Sequence, residues 1–174
     1  MVYKAIQHFF WLLLICSGCA AGEKIGPFYL YTTRGATIAF PLGQPALLIY
    51  GSNLECGRDI RAWAHLIRHG NVVPTTIPHF TFALAEEGLF ARLAQPLILY
   101  RIRKMVPLSE QPFSGLVFAK REEAPFLFQG SAARVLLLSG RGEVVWKEEG
   151  GPKEGSKDEL ARALAEVYKR EAGI

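Results

Sequence analysis

Residues 46–70 read ALLIYGSNLECGRDIRAWAHLIRHG, and the fold turns on this stretch. Ala46 to Tyr50 is an unbroken apolar run between Pro45 and Gly51. A run of that length, closed by turn residues, suits a strand buried on both faces. A helix follows. Ser52 and Glu55 have the capping-box spacing, in which hydroxyl and carboxylate each satisfy an orphan backbone N–H. Asn53 is then the first helical residue and Cys56 the fourth. Ile60, Trp63, Ala64 and Ile67 recur at helical spacing, while Arg61, His65 and Arg68 fall on other faces. Gly70 supplies the stop.

Working outward, Phe28, Leu30 and Thr32 and then Thr37 to Phe40 flank Arg34-Gly35, the pattern of a hairpin. After the helix, residues 72–84 hold another strand, interrupted by Pro74 and Pro78. His79, between Pro78 and Phe80, is expected to serve a loop. Residues 86–104 fit two templates. Leu89, Phe90 and Leu93 suit a helix that Pro96 would kink or restart, and Leu97 to Ile102 suits helix or strand. Pro107 and Pro112 enclose a loop, and Leu116, Val117 and Phe118 suggest a strand. Val135 to Leu138, Gly140-Arg141-Gly142 and Glu143 to Trp146 read as a second hairpin. Ser156 and Glu159 repeat the capping-box spacing. They open a final helix whose apolar stripe is Leu160, Leu164 and Val167.

The 174 residues are half hydrophobic, with a formal net charge of +4. The charge is scattered and forms no basic stripe of the kind a nucleic-acid binder carries, so no nucleic acid is expected as a partner. Lys4, the apolar run Phe9 to Ile15, and Ser17-Gly18 before Cys19 resemble a bacterial lipoprotein signal. The apolar core is too short for a membrane span. Cys16 stands where an aliphatic residue is usual. The resemblance implies cleavage before Cys19 and lipid on its thiol. It divides the chain into a signal peptide (1–18), a tether (19–26) and one domain (27–174) of ordinary single-fold size. It places the protein in the cell envelope, anchored to the membrane through Cys19, on the periplasmic face of a bacterial membrane. Ala20 after the cysteine leans towards the outer membrane in a diderm host. Of the three cysteines, only Cys56 lies within the domain, so that domain holds no internal disulfide.

The element order, and the turn Ser139-Gly140-Arg141-Gly142-Glu143-Val144-Val145-Trp146, resemble thioredoxin-like and peroxiredoxin-like proteins over roughly residues 27–170. The resemblance implies an α/β domain with a central mixed sheet flanked by helices. Gly88 to Leu93, Tyr100 to Pro107 and the hairpin ending at Trp146 are similar to the mitochondrial ATPase-complex assembly factors and their bacterial relatives. Those proteins help a membrane subunit assemble. Two features of an active thioredoxin are missing. Asn53-Leu54-Glu55-Cys56 stands in place of Cys-x-x-Cys, and Ala132-Ala133 occupies the position of the family's cis-proline.

Cys56 is the candidate catalytic residue. A thiol in a helix's first turn is activated by backbone N–H groups and the helix dipole, and Arg58 would add positive charge. Against this, the intervals to Ile60 and Trp63 put Cys56 on the buried face, where cysteine is an inert small hydrophobe. Glu55 opposes a thiolate, and Asn53 replaces a peroxiredoxin's threonine. His65 and His69 are spaced as a ligand pair but lack a third ligand, so no metal is expected. No Gly-x-Ser-x-Gly, P-loop or dinucleotide fingerprint occurs, and no cofactor is implied. Arg92, Arg101, Arg103 and Lys104 lie among Leu97, Ile98, Leu99 and Ile102. That segment reads either as core packing with a solvated basic edge or as a surface for a membrane or partner helix. These four are the candidate binding residues. The leading expectation is a membrane-anchored binding or assembly module with an envelope protein partner and no standard dithiol. The alternative is a single-cysteine thiol oxidoreductase, acting on peroxide or a partner disulfide through Cys56.

Overall fold

The computed structural model of the chain describes residues 23–53 and 55–172. The signal segment, Cys16, Cys19 and the start of the tether lie outside the described residues. The strands are β1 (Phe28–Thr32), β2 (Thr37–Phe40), β3 (Ala46–Gly51), β4 (His79–Glu86), β5 (Ser114–Ala119), β6 (Arg134–Leu138) and β7 (Val144–Glu149). The helices are α1 (Cys56–Gly70), α2 (Leu89–Met105) and α3 (Ser156–Ala172), with short 3-10 turns at Gln111–Phe113 and Pro125–Phe128. One mixed sheet forms in the order β2-β1-β5-β4-β3-β6-β7. β3 pairs parallel with β4, and β4 parallel with β5. The other pairings, β1 with β2 and β5, and β6 with β3 and β7, are antiparallel.

β3 is an interior strand, between β4 and β6, and all six of its residues are buried. Its alternation divides the core in two. Leu48 and Tyr50 join Phe28, Phe40, Phe80, Phe82, Leu136 and Leu138 on one face. Tyr50 stacks on Phe82 with centroids 5.0 Å apart. Ile25, Leu127 and Phe128 close this face. On the other face Leu47 and Ile49 meet Trp63 and Ile67 of α1 and Leu160, Leu164 and Val167 of α3. Trp63 is fully buried, packs edge-on against Trp146 and donates Nε1–H to the Gly150 carbonyl at 2.8 Å. The crossovers β3-α1-β4 and β4-α2-β5 step the same way across the sheet. Right-handed connections therefore place α1 and α2 on one face.

Several local expectations are corrected. α1 starts at Cys56, not Asn53, and Ser52 does not cap it. The Asn53 side chain does, accepting the Cys56 N–H at 3.0 Å. Helix α1 runs through Gly70 and stops at Asn71, whose φ of 49° is left-handed, a conformation asparagine tolerates. At α3 the Ser156 hydroxyl is buried and turned away from the helix. It accepts the Lys153 N–H and donates to Glu148. His79 is the first residue of β4 rather than a loop residue. Residues 89–105 form a single helix that passes through Pro96. The hairpins and β3 lie where the pattern puts them. Glu23 and Ile25 are tied to the β6–β7 turn by backbone bonds to Val144 and Gly142, and Ile25 is buried.

Candidate functional site

The end of β3, the start of α1 and the segment before β6 converge on Cys56. The Asn53 amide is the clasp. Its Oδ1 accepts the Cys56 N–H and lies 3.1 Å from Cys56 Sγ, while its Nδ2 donates to the Ser131 carbonyl at 2.9 Å. Cys56 Sγ also lies 3.2 Å from that carbonyl. The sulfur thus faces two oxygen acceptors, and its S–H donates to them. Gly51 forms the floor. A Cβ there would sit 2.4 Å from Cys56 Cβ and 2.8 Å from Sγ, so the close approach requires glycine. Cys56 is only 2 % exposed. Arg58 points into solvent and lies near Asp59. The thiol is thus enclosed by Gly51, Asn53 and Ser131.

Sequence reasoning missed Arg134, the residue that fixes the neighbouring loop. It is buried at the head of β6, opposite Tyr50 in β3. Its guanidinium donates to the Phe126 carbonyl at 2.7 Å and to the Gln129 side chain at 3.4 Å, and pairs with Glu149 at 2.9 Å. A charge this deep is retained because it is paired and hydrogen-bonded. Burial pushes the Tyr50 phenol up to about 12, with the Arg134 cation pulling the other way, so the hydroxyl stays protonated. That cation is close, yet Tyr50 Oη and Arg134 Nε make no hydrogen bond. The only advance signal was a charged residue abutting the apolar run 135–138.

The remaining candidates lie elsewhere. His65 and His69 are exposed on α1 with ring centroids 4.5 Å apart. Among the described residues no three His, Cys, Asp or Glu side chains gather as metal ligands. His79 is half-buried beside Phe113, and burial lowers its pKa below the ordinary 6.5. A depressed imidazole favours the neutral form in the folded state. Its contribution to stability is complete above pH 6.5 and is lost as pH falls from there through the folded value. Stability should therefore decline below pH 6.5, and His79→Gln should flatten that part of the profile. Denaturant titrations at several pH values check this, and an unchanged slope in the variant would assign it to other groups.

Helix α2 brings the basic candidates together but does not pack as a core segment. It has no buried residue. Ala91, Ala94, Gln95, Ile98, Leu99 and Ile102 form a half-buried inner side, and α2 lies against β5. Leu89, Phe90, Leu93 and Leu97 are exposed, Phe90 to 86 %. The core-packing reading of this segment is thus corrected. Arg92 pairs with Glu87, and Lys104 lies over the Tyr100 ring. Gln111, buried below the helix, donates to the Arg103 carbonyl at 3.1 Å and holds the C-terminal turn in place.

No protein-family model and no curated protein matches the sequence. Solved structures do match. A proposed electron transfer protein from Aquifex aeolicus VF5 has a TM-score of 0.61 at 14 % identity, covering 85 % of this chain and 94 % of its own. Copper-bound ScoI from Arabidopsis thaliana has a TM-score of 0.55 at 12 % identity, covering 83 % and 99 %. BsSco, of the Sco family of cytochrome c oxidase assembly proteins, has a TM-score of 0.55 at 12 % identity, covering 86 % and 96 %. The fold is thioredoxin-like: a mixed seven-stranded sheet with three α-helices among the described residues.

Proposed function

We propose that this protein is a thioredoxin-like binding or assembly module that does no dithiol chemistry. Lipid on Cys19 holds it at the envelope membrane, and α2 is its docking surface. The observation that carries the reading is the exposure of Leu89, Phe90, Leu93 and Leu97 on a helix with no buried residue. Contiguous exposed apolar side chains mark interaction sites in soluble domains. The packed thiol supports the reading, since Cys56 has no partner cysteine within the domain and is closed off by Gly51, Asn53 and Ser131. Proteins sharing this fold are named for assembly, copper binding and electron transfer alike, so the fold alone selects none of these roles. The likeness of residues 88–93 and 100–107 to ATPase-complex assembly factors favours assembly, with an envelope protein as the one assisted.

Cys19→Ala should abolish lipid processing and most membrane association. Unchanged processing and fractionation would remove the lipoprotein part of the proposal. In that background, changing Arg92, Arg101 and Arg103 to alanine should lower the residual membrane-bound fraction and leave the circular-dichroism spectrum intact, because exposed charges contribute little to stability. A folded variant that binds normally would place the docking site elsewhere.

A further inference from the structure

We propose that the occupant of α2 is an anionic lipid surface. Leu89, Leu93, Leu97 and Tyr100 would lie at the acyl boundary, with Arg101, Arg103 and Lys104 on lipid phosphates. The inference rests on the docking surface proposed above and names what covers it. The four apolar residues are spaced i, i+4, i+8 and i+11, which aligns them in one stripe. They are 72 %, 70 %, 56 % and 54 % exposed, and Phe90 stands beside them. The half-buried side of the helix faces the opposite way, towards β5. Folding therefore leaves the stripe turned outward.

The charges decide the occupant. Residues 89–105 carry three arginines and one lysine and no acidic side chain. Glu87 satisfies Arg92. Arg101, Arg103 and Lys104 are exposed and, among the described residues, have no carboxylate partner. At 100° per residue, Arg103 falls on one edge of the stripe, Arg101 on the other, and Lys104 at its C-terminal end. A second copy of the chain would bring the same uncompensated cations to the contact and be repelled. An anionic bilayer accepts both parts, because long basic side chains reach phosphates while apolar neighbours enter the boundary region. Guanidinium forks suit phosphate oxygens. No helix among the described residues is long and apolar enough to cross a membrane, so α2 would lie on the surface.

The test is amide exchange of residues 89–105 in the full chain. It is run on phosphatidylcholine vesicles with and without phosphatidylglycerol, so that any lipid binding by the N-terminal segment is common to both. The expected result is slowed exchange in α2 on the anionic vesicles only, reversed by high salt. Changing Arg101, Arg103 and Lys104 together to glutamine should reduce the preference for anionic vesicles roughly a hundredfold, at the usual contribution per basic residue. Equal exchange on both vesicle types overturns the inference. So does protection without lipid, whether it grows with protein concentration (a second copy) or not (the chain's own N-terminal segment). If α2 stays open on lipid while the triple-arginine variant still loses retention on native membranes, the docking surface stands and its occupant is a protein. If both measurements are unaffected, both readings fail.

Discussion

Gly115→Ala should melt about 6–12 °C below the wild type, the largest loss expected from adding a single methyl group. Gly115 lies opposite Thr32 where β1 pairs with β5. A Cβ there would stand 2.0 Å from the Tyr31 carbonyl oxygen, 2.8 Å from its carbon and 2.9 Å from Thr32 Cα. These are backbone atoms and cannot rotate away as a side-chain tip can. The strands must separate, which weakens the attachment of the β1–β2 hairpin to the sheet. Overpacking commonly costs about 1–3 kcal/mol, and about 3 is expected where backbone is struck. For a domain of this size each kcal/mol moves Tm by roughly 2–4 °C. Gly57→Ala is the contrast. It lies in the first turn of α1, and its new Cβ meets nothing closer than 3.5 Å, at Arg61. That change should be neutral or stabilising by up to about 1 kcal/mol. Thermal melts of the two variants separate steric exclusion from glycine's general flexibility. A Gly115→Ala melt within 2 °C of wild type would mean that the β1–β5 contact is looser than described.

The parts of this fold that were legible share one property: a local pattern that tertiary contact reinforces. β3 is apolar at every position because both its faces are covered, and the hairpin at 135–146 combines glycine turns with apolar strands. Caps were legible only as approximate positions. Ser52 and Asn53 are both competent caps, and Asn53 is selected because its amide also reaches Ser131, 78 residues away. No local spacing reports such a bond. Arg134 was illegible for a related reason: its partners sit in the irregular turn at Phe126 and Gln129 and across the β6–β7 pairing at Glu149, and no periodic spacing reports either.

Helix α2 was illegible for a different reason. Apart from Gln95 its inner residues are small or aliphatic, and its outer residues Leu89, Leu93 and Leu97 are apolar too, so the periodic signal is spread around the helix. Pro96 adds a false break. It lies on the exposed side, where its missing N–H can be compensated by water, and the helix continues. An apolar pattern says that a face is to be covered, not by what. Core packing was therefore the economical reading of the sequence, and only the exposure of these side chains separates it from a docking surface. The basic residues fit both readings equally, since charged groups border a core helix as readily as a membrane-facing one.

The Cys56 thiol should react with a small alkylating reagent at least a hundredfold more slowly in the folded chain than in denaturant. Peptide mapping by mass spectrometry keeps it distinct from Cys16 and Cys19. The expectation follows from geometry. Cys56 is 2 % exposed, rests on Gly51 and is flanked by Asn53 Oδ1 and the Ser131 carbonyl. Reagent reaches the sulfur only after Asn53 or the strand-entry segment at Ser131 moves aside. Local openings of this kind lie between fraying and global unfolding in free energy, and each 1.4 kcal/mol slows labelling tenfold when closing is fast. Asn53 holds the two segments together through its bonds to Cys56 N and Ser131 O. At about 1 kcal/mol per bond, Asn53→Ala should raise the folded-state rate roughly thirtyfold while leaving the denatured rate unchanged. A merely buried thiol, protected by global stability alone, would respond only as far as the variant lowers the denaturation midpoint. Midpoint and labelling rate are therefore measured together. Folded-state labelling at the denatured rate would restore Cys56 as a nucleophile and sink the non-enzymatic reading, because an accessible thiol at the head of α1 has the backbone N–H groups and helix dipole that activate cysteine.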